Sequence, residues 1–133
     1  MIVVDTNVIA YLFLSSTQSL FAEHALQKDS EWAAPLLWRS GLRNVLTFYV
    51  RKNIIALKQA QRIMNSALEI LWGREYEVSS IEVLRLASVS RCSAYDCEFV
   101  AAAEDLKVPL VTVDRQLLRE FPSVAVALKS FSE

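Results

Sequence analysis

The stretch Met1-Ile2-Val3-Val4-Asp5-Thr6-Asn7 decides the fold. A short apolar run rich in Val and Ile stops at a carboxylate, and an amphipathic stretch from Val8 to Leu14 follows at once. Runs this short suit a strand buried on both faces of a parallel sheet. Asp5 then stands at the carboxyl end of that strand, in the first strand-to-helix turn. In open α/β sheets that edge is where ligands bind. What the rest of the chain must answer is whether other carboxylates reach the same edge.

Working outward, the pattern alternates. Helices are expected over residues 7–14 and 17–28, the second capped by Thr17 and burying Leu20, Ala25 and Leu26. Residues 31–35 read as a brief strand closed by Pro35. Residues 36–52 form the clearest amphipathic helix, with Trp38, Leu42, Val45, Leu46 and Tyr49 on one stripe and Gly41 on its flank. A helix over 56–72 turns Ile63, Ala67, Ile70 and Leu71 inward and ends at Gly73. Residues 76–78 are a third strand candidate. Helices over 80–90 and 93–107, a fourth strand over 109–113, a short helix over 114–121 and a fifth strand over 124–128 complete the chain. Strands alternating with helices predict a parallel sheet covered on both faces.

The 133 residues, 53% hydrophobic and 22% charged, suit one domain, residues 1–133, with its own core. Net charge is −1, so no global basic field draws in nucleic acid; an enzyme needs only a local basic rim. Cys92 and Cys97 are five apart, a spacing that fits neither CxxC nor a zinc finger. With His24 far away in sequence, both read as reduced, small apolar residues of a cytoplasmic protein. The first residues lack a basic leader pattern, and no apolar stretch approaches the ~18 residues of a membrane span.

Asp114 repeats the grammar of Asp5: Leu110-Val111-Thr112-Val113, then a carboxylate, then a helix. Asp96 falls in the first turn of its helix, on the side of Val100 and Ala103. Each alone reads best as a helix cap, because Asp is a favoured N-cap and first-turn acids suit the helix dipole. Ser93-Ala94-Tyr95-Asp96 also has the spacing of a capping box. Capping leaves open why three carboxylates recur at one predicted sheet edge. Hard divalent cations want oxygen ligands, and such ions assist phosphodiester cleavage. Asp5, Asp96 and Asp114 are therefore expected to meet in one pocket.

Four motifs in order carry a family resemblance: Val4-Asp5-Thr6-Asn7, the run from Trp38 to Leu46, Ser93-Ala94-Tyr95-Asp96 and Thr112-Val113-Asp114. Together they resemble a PIN domain, and within that superfamily the VapC-type toxins of prokaryotic toxin–antitoxin pairs. The resemblance spans nearly the whole chain. It implies a three-layer α/β/α fold with a small parallel sheet, and a Mg²⁺- or Mn²⁺-dependent ribonuclease. It also implies a homodimer inhibited by a small antitoxin. Asp5, Asp96 and Asp114 match the family's metal-binding aspartates; Asn7 and Thr112 match polar residues near them. One position departs: where the family carries glutamate, this chain has Gly41. Glycine inside a helix costs ~0.5–1 kcal/mol relative to alanine. The expectation is a site weakened or disarmed, whether by engineering, by selection against a harmful activity, or in a natural degenerate homologue. The rival is a catalytically silent PIN-like domain that binds an antitoxin or other partner. A receiver-like domain would want paired acids after the first strand, and Asp5 is followed by Thr6-Asn7.

Among other residues, Arg39, Arg43, Arg51, Lys52, Arg115 and Arg119 are candidates for a basic rim against RNA, although helix faces ordinarily carry such charges. Arg115, beside Asp114, is the best single candidate for an RNA contact. Trp32, Trp38, Trp72, Tyr49, Tyr76 and Tyr95 read as core or interface before base-stacking. Glu75 and Glu98 read as solvated surface acids, and His24 as a helix-surface residue. The homodimer is expected through the helices between Leu36 and Trp72.

Overall fold

The structure, a computed structural model, describes Met1–Glu133. In chain order the elements are β1 (Ile2–Val4), α1 (Thr6–Phe13), α2 (Ser19–Lys28), β2 (Trp32–Pro35), α3 (Leu37–Arg51) and α4 (Leu57–Ile70). They continue with β3 (Glu75–Tyr76), α5 (Ser80–Ser88), α6 (Ala94–Leu106), β4 (Leu110–Thr112), α7 (Arg115–Glu120), β5 (Ala125–Ala127) and α8 (Leu128–Ser132). The five strands form one sheet in the order β3-β2-β1-β4-β5, and every pairing is parallel. Parallel strands need crossovers, and the helices supply them on both faces. Helix α6 crosses β1, β2 and β4 and pairs with α5, while α1, α2 and α8 pack together. No helix is long and apolar enough to cross a membrane.

Burial explains why β1 reads as an unbroken apolar run. Ile2, Val3 and Val4 are buried, with helices above and below and strands on both sides. They belong to one continuous core with Trp32, Ala33, Ala34, Leu110 and Val111. β1 is central, and the chain builds outward from it through β2 and β3 before returning to β4 on its other side. The strand order therefore reverses between β1 and β4, the switch point at which α/β sheets present their ligand crevice. Val3 pairs with Leu110 and Val4 with Val111, so the two strands end side by side.

Several local expectations change. Thr17 does not cap α2, whose N-cap is Gln18 without a side-chain bond. Serines tie that turn instead: Ser19 Oγ accepts from Ser16 N–H at 3.0 Å and donates to the Leu14 carbonyl at 2.9 Å. Leu20 is 58% exposed, because α2 buries the Ala22 and Ala25 side. The third strand starts earlier than expected, at Glu75, where pairing with Ala34 and Pro35 fixes it. After β5 a further helix, α8, closes the chain against α2. Lys28 Nζ anchors it by donating to the Phe131 carbonyl at 2.8 Å.

Candidate functional site

Asp5 caps α1: its side-chain Oδ1 accepts from Thr6 N–H at 2.8 Å. Its backbone N–H continues the sheet by donating to the Val111 carbonyl at 3.1 Å. Its other oxygen, Oδ2, accepts from the Thr112 hydroxyl at 2.7 Å, a fully buried bond between residues 107 apart in sequence. Thr112 Oγ1 also accepts from Asp114 N–H at 3.0 Å. One hydroxyl thus ties the ends of β1 and β4 to each other. Asp114 in turn caps α7, its Oδ1 accepting from Leu117 N–H at 2.9 Å.

Asp96 arrives on α6, which runs back across the sheet so that its first turn stands at the same edge. Ser93 caps the helix, its Oγ accepting from Asp96 N–H at 3.0 Å. The three aspartates feel one another. Burial raises the Asp5 carboxyl pKa above its usual value, Thr112 and Thr6 lower it in part, and the charges of Asp96 and Asp114 raise it further. Asp96 is raised by burial and then by Asp114, and the Ser93 hydroxyl lowers it in part. Both effects disfavour the ionised form, as expected where carboxylates crowd together without a counter-charge.

Hard carboxylate oxygens fit a divalent cation by donor type. Their spacing is a separate matter: no three acidic, cysteine or histidine side chains stand where one ion could bind them all at once. At this edge Asp5 is buried, and Asp96 and Asp114 are half-buried. Shared strand ends bring the carboxylates into one neighbourhood, and their caps hold Asp5 and Asp114 in place within it.

The remaining candidates fall around this edge. Asn7 is exposed on α1, and Arg115 is exposed at the first position of α7. Gly41 lies inside α3 where that helix meets α1. A Cβ there would come within 2.8 Å of Thr6 Oγ1 and 3.0 Å of Thr6 Cγ2. The glycine therefore has a packing reason that its helix context does not display: Thr6 occupies the space. The sequence reading passed over Thr6, and the only signal was its place directly after Asp5. Glu75 also departs from expectation. Its carboxylate accepts from Trp38 Nε1 at 2.7 Å and pairs with Arg39, which removes Arg39 from the basic rim. The Arg39 and Trp38 donors hold the Glu75 pKa below its ordinary range. Cys92 and Cys97 are both free and buried; burial pushes the Cys92 thiol up to about 11, so it stays protonated beside the acids.

Comparison with known proteins bears on this geometry. The PIN domain profile matches residues 2–122. Ribonuclease VapC3 of Pyrobaculum aerophilum is 29% identical over 127 residues, which span 92% of this chain and 96% of that relative. A Pyrobaculum aerophilum protein solved by crystallography superposes with a TM-score of 0.79 at 22% identity, covering 98% of this chain and 92% of its own. A toxin–antitoxin complex from Klebsiella pneumoniae gives 0.72 at 19% identity, covering 96% of this chain and 98% of that one. FitAcB of Neisseria gonorrhoeae gives 0.74 at 18%, with 96% of each chain covered. At these identities the solved structures bear on the fold alone, and that fold is the α/β/α arrangement described above.

Proposed function

Since this chain belongs to the PIN domain family, we propose that it is a nuclease of the VapC kind, acting on RNA and restrained by a small antitoxin. The observation that carries the reading is the gathering of Asp5, Asp96 and Asp114 at one sheet edge, close enough for their charges to raise Asp5. The 29% identity to a ribonuclease over nearly the full length of both chains supports RNA as the substrate. The toxin–antitoxin complex among the structural neighbours supports the antitoxin.

In this reading Asp5, Asp96 and Asp114 would hold Mg²⁺ or Mn²⁺ only after their side chains draw together around the ion, since without it they do not stand where one ion could bind all three. When bound, such an ion supplies Lewis acidity toward a phosphodiester. The chain's own contribution is positioning. Thr112 fixes Asp5 Oδ2, and the α7 N-terminus fixes Asp114 Oδ1. Asp96 supplies the third carboxylate, from the first turn of α6. Arg115, at the rim, is the RNA contact, since an exposed cation beside the acids can hold a phosphate near them. Asn7 supports the site from the first turn of α1.

Gly41 withholds the fourth acid, and activity is weakened or lost in consequence. That feature also favours the second reading, a silent PIN-like module kept for binding a partner. Single-stranded RNA with a fluorophore and quencher separates them. Mn²⁺-dependent cleavage that disappears with chelator and in Asp5→Asn is expected under the first reading. Cleavage that survives Asp5→Asn would remove these acids from the chemistry. Cleavage that appears only when an acid is restored at position 41, with Thr6 trimmed to make room, would favour the second. We also propose a homodimer. Its contact is the helices between Leu36 and Trp72, where Phe48, Leu57 and Trp72 are mostly exposed.

A further inference from the structure

Beside Asp96, at the carboxyl edge of the sheet, the surface opens into a groove of about 490 Å³. Leu36, directly after β2, and Tyr95 and Glu98 of the first turns of α6 line it, together with Tyr76 and Leu84. Leu84 is 66% exposed and Tyr95 70% exposed, so the groove offers solvent an aromatic ring and an aliphatic wall. Glu98 is half-buried, yet it enters no ion pair and takes no hydrogen bond from the protein. Glu77, the groove's other acid, is also outside every ion pair, and no cation lines the groove. Tyr95 immediately precedes Asp96 in α6, so whatever rests on its ring lies next to the acids.

We propose that this groove is a base-binding subsite for RNA, in which a guanine stacks on Tyr95 and gives its N1–H and N2–H to the two carboxylate oxygens of Glu98. The inference rests on the nuclease reading for RNA as the ligand; the groove names the base that flanks the bound phosphate. An ionised carboxylate only accepts, and its two oxygens suit two donors side by side. Guanine alone of the four RNA bases presents two adjacent donors on one edge, whereas adenine and cytosine offer one amino group there and uracil one N–H between carbonyls. Hydrogen bonds to a carboxylate are roughly twice as strong as neutral ones. Unstacked bases of single-stranded RNA rest on aromatic side chains and are read on such edges. Charge argues against a second copy of this chain as the occupant: about a two-fold axis it would set Glu77 and Glu98 back against themselves with no cation between them. An arginine of a protein partner would satisfy Glu98 and Tyr95 but leave the wall of Leu36 and Leu84 uncovered, where a purine brings two rings.

The test uses the whole chain in chelator, so that RNA binds without cleavage, and fluorescent oligouridylates with one central guanine, adenine, cytosine or hypoxanthine, read by anisotropy. The guanine oligonucleotide should bind about 10-fold more tightly than the adenine or cytosine ones. Hypoxanthine, which lacks the N2 amino group, should fall between. Glu98→Gln should remove the preference. Tyr95→Ala, at an exposed position, should weaken every oligonucleotide, and Tyr95→Phe, which keeps the ring, should recover the binding. Guanosine, with no phosphate for the acids to repel, should shift the Glu98 carboxyl carbon NMR signal more than inosine or adenosine does. Equal affinity for the bases, hypoxanthine matching guanine, or a preference that survives Glu98→Gln would overturn the proposal. So would an arginine-bearing peptide that binds the wild type and is lost in Glu98→Gln while the bases are not distinguished, because the groove would then receive a protein. A smaller sedimentation coefficient for Tyr95→Ala with RNA binding unchanged would assign the face to a second copy instead. Base-selective binding without metal-dependent cleavage would leave the groove standing and remove the nuclease, and cleavage without base selectivity would do the reverse.

Discussion

Two effects of comparable size oppose each other at Gly41, which makes Gly41→Ala the sharpest probe of the site's architecture. Inside a helix alanine is favoured over glycine by ~0.8–1.0 kcal/mol. Gly41 lies within α3 and has no left-handed backbone, so alanine meets no dihedral penalty. Its Cβ, however, would stand 2.8 Å from Thr6 Oγ1 and 3.0 Å from Cγ2. Contacts that short must be relieved by movement, and overpacking of this kind costs ~1–3 kcal/mol. Thr6 is poorly placed to yield, being β-branched and held through its N–H to Asp5. The expected outcome in the wild type is a net loss of up to ~2 kcal/mol. Thr6→Ala deletes both offending atoms and leaves only the ordinary contact with Thr6 Cβ at 3.4 Å. In that background Gly41→Ala should stabilise by about 1 kcal/mol. The coupling between the two positions is therefore ~1–3 kcal/mol. Urea unfolding in the presence of chelator, followed by the fluorescence of buried Trp32 and Trp38, reads it directly. With m of ~2 kcal/mol/M the coupling moves the midpoint by roughly 1 M. If Gly41→Ala stabilises the wild type by its full helix-propensity gain, and Thr6→Ala leaves that gain unchanged, Thr6 does not hold the position and the packing account of the glycine is wrong.

Three further outcomes are expected. Asp5 has a folded pKa raised above 3.8, so its contribution to stability is fully present below that value and is lost as pH rises through the folded one. In metal-free buffer, Asp96→Asn should lower the Asp5 titration midpoint followed by carboxyl carbon NMR; an unmoved midpoint would show that the two charges do not interact. Thr112→Val leaves Asp5 Oδ2 and Asp114 N–H without their shared partner and should cost ~1–3 kcal/mol in denaturant unfolding, while Thr112→Ser should recover most of it. Glu75→Gln should lower the melting temperature at neutral pH by discharging the pair with Arg39 while keeping an acceptor for Trp38. Because the Glu75 pKa is depressed in the fold, its stabilisation is present above the ordinary carboxylate range and lost as pH falls through the depressed value, so the difference from wild type should close in acid.

The chain itself determined the strand-and-helix grammar and the family resemblance. Ile2, Val3 and Val4 announce a strand buried on both faces, and Asp5 and Asp114 announce strand-to-helix turns, because burial and capping act within a few residues and leave periodic marks. The stripe of Trp38, Leu42 and Leu46 in α3 was legible for the same reason, and all three are buried. The β1–β4 neighbourhood was another kind of fact. It joins segments more than a hundred residues apart, and only that pairing lets Thr112 reach Asp5. The fate of Glu75 followed from the register of β3 on β2, which sets it beside Trp38 and Arg39. The space at Gly41 belongs to Thr6 because α1 crosses α3 there, and a crossing between helices has no local signature in either. Local patterns are written by interactions along the chain. Which carboxylates share a field, and which glycine has room for a side chain, is decided by contacts across it.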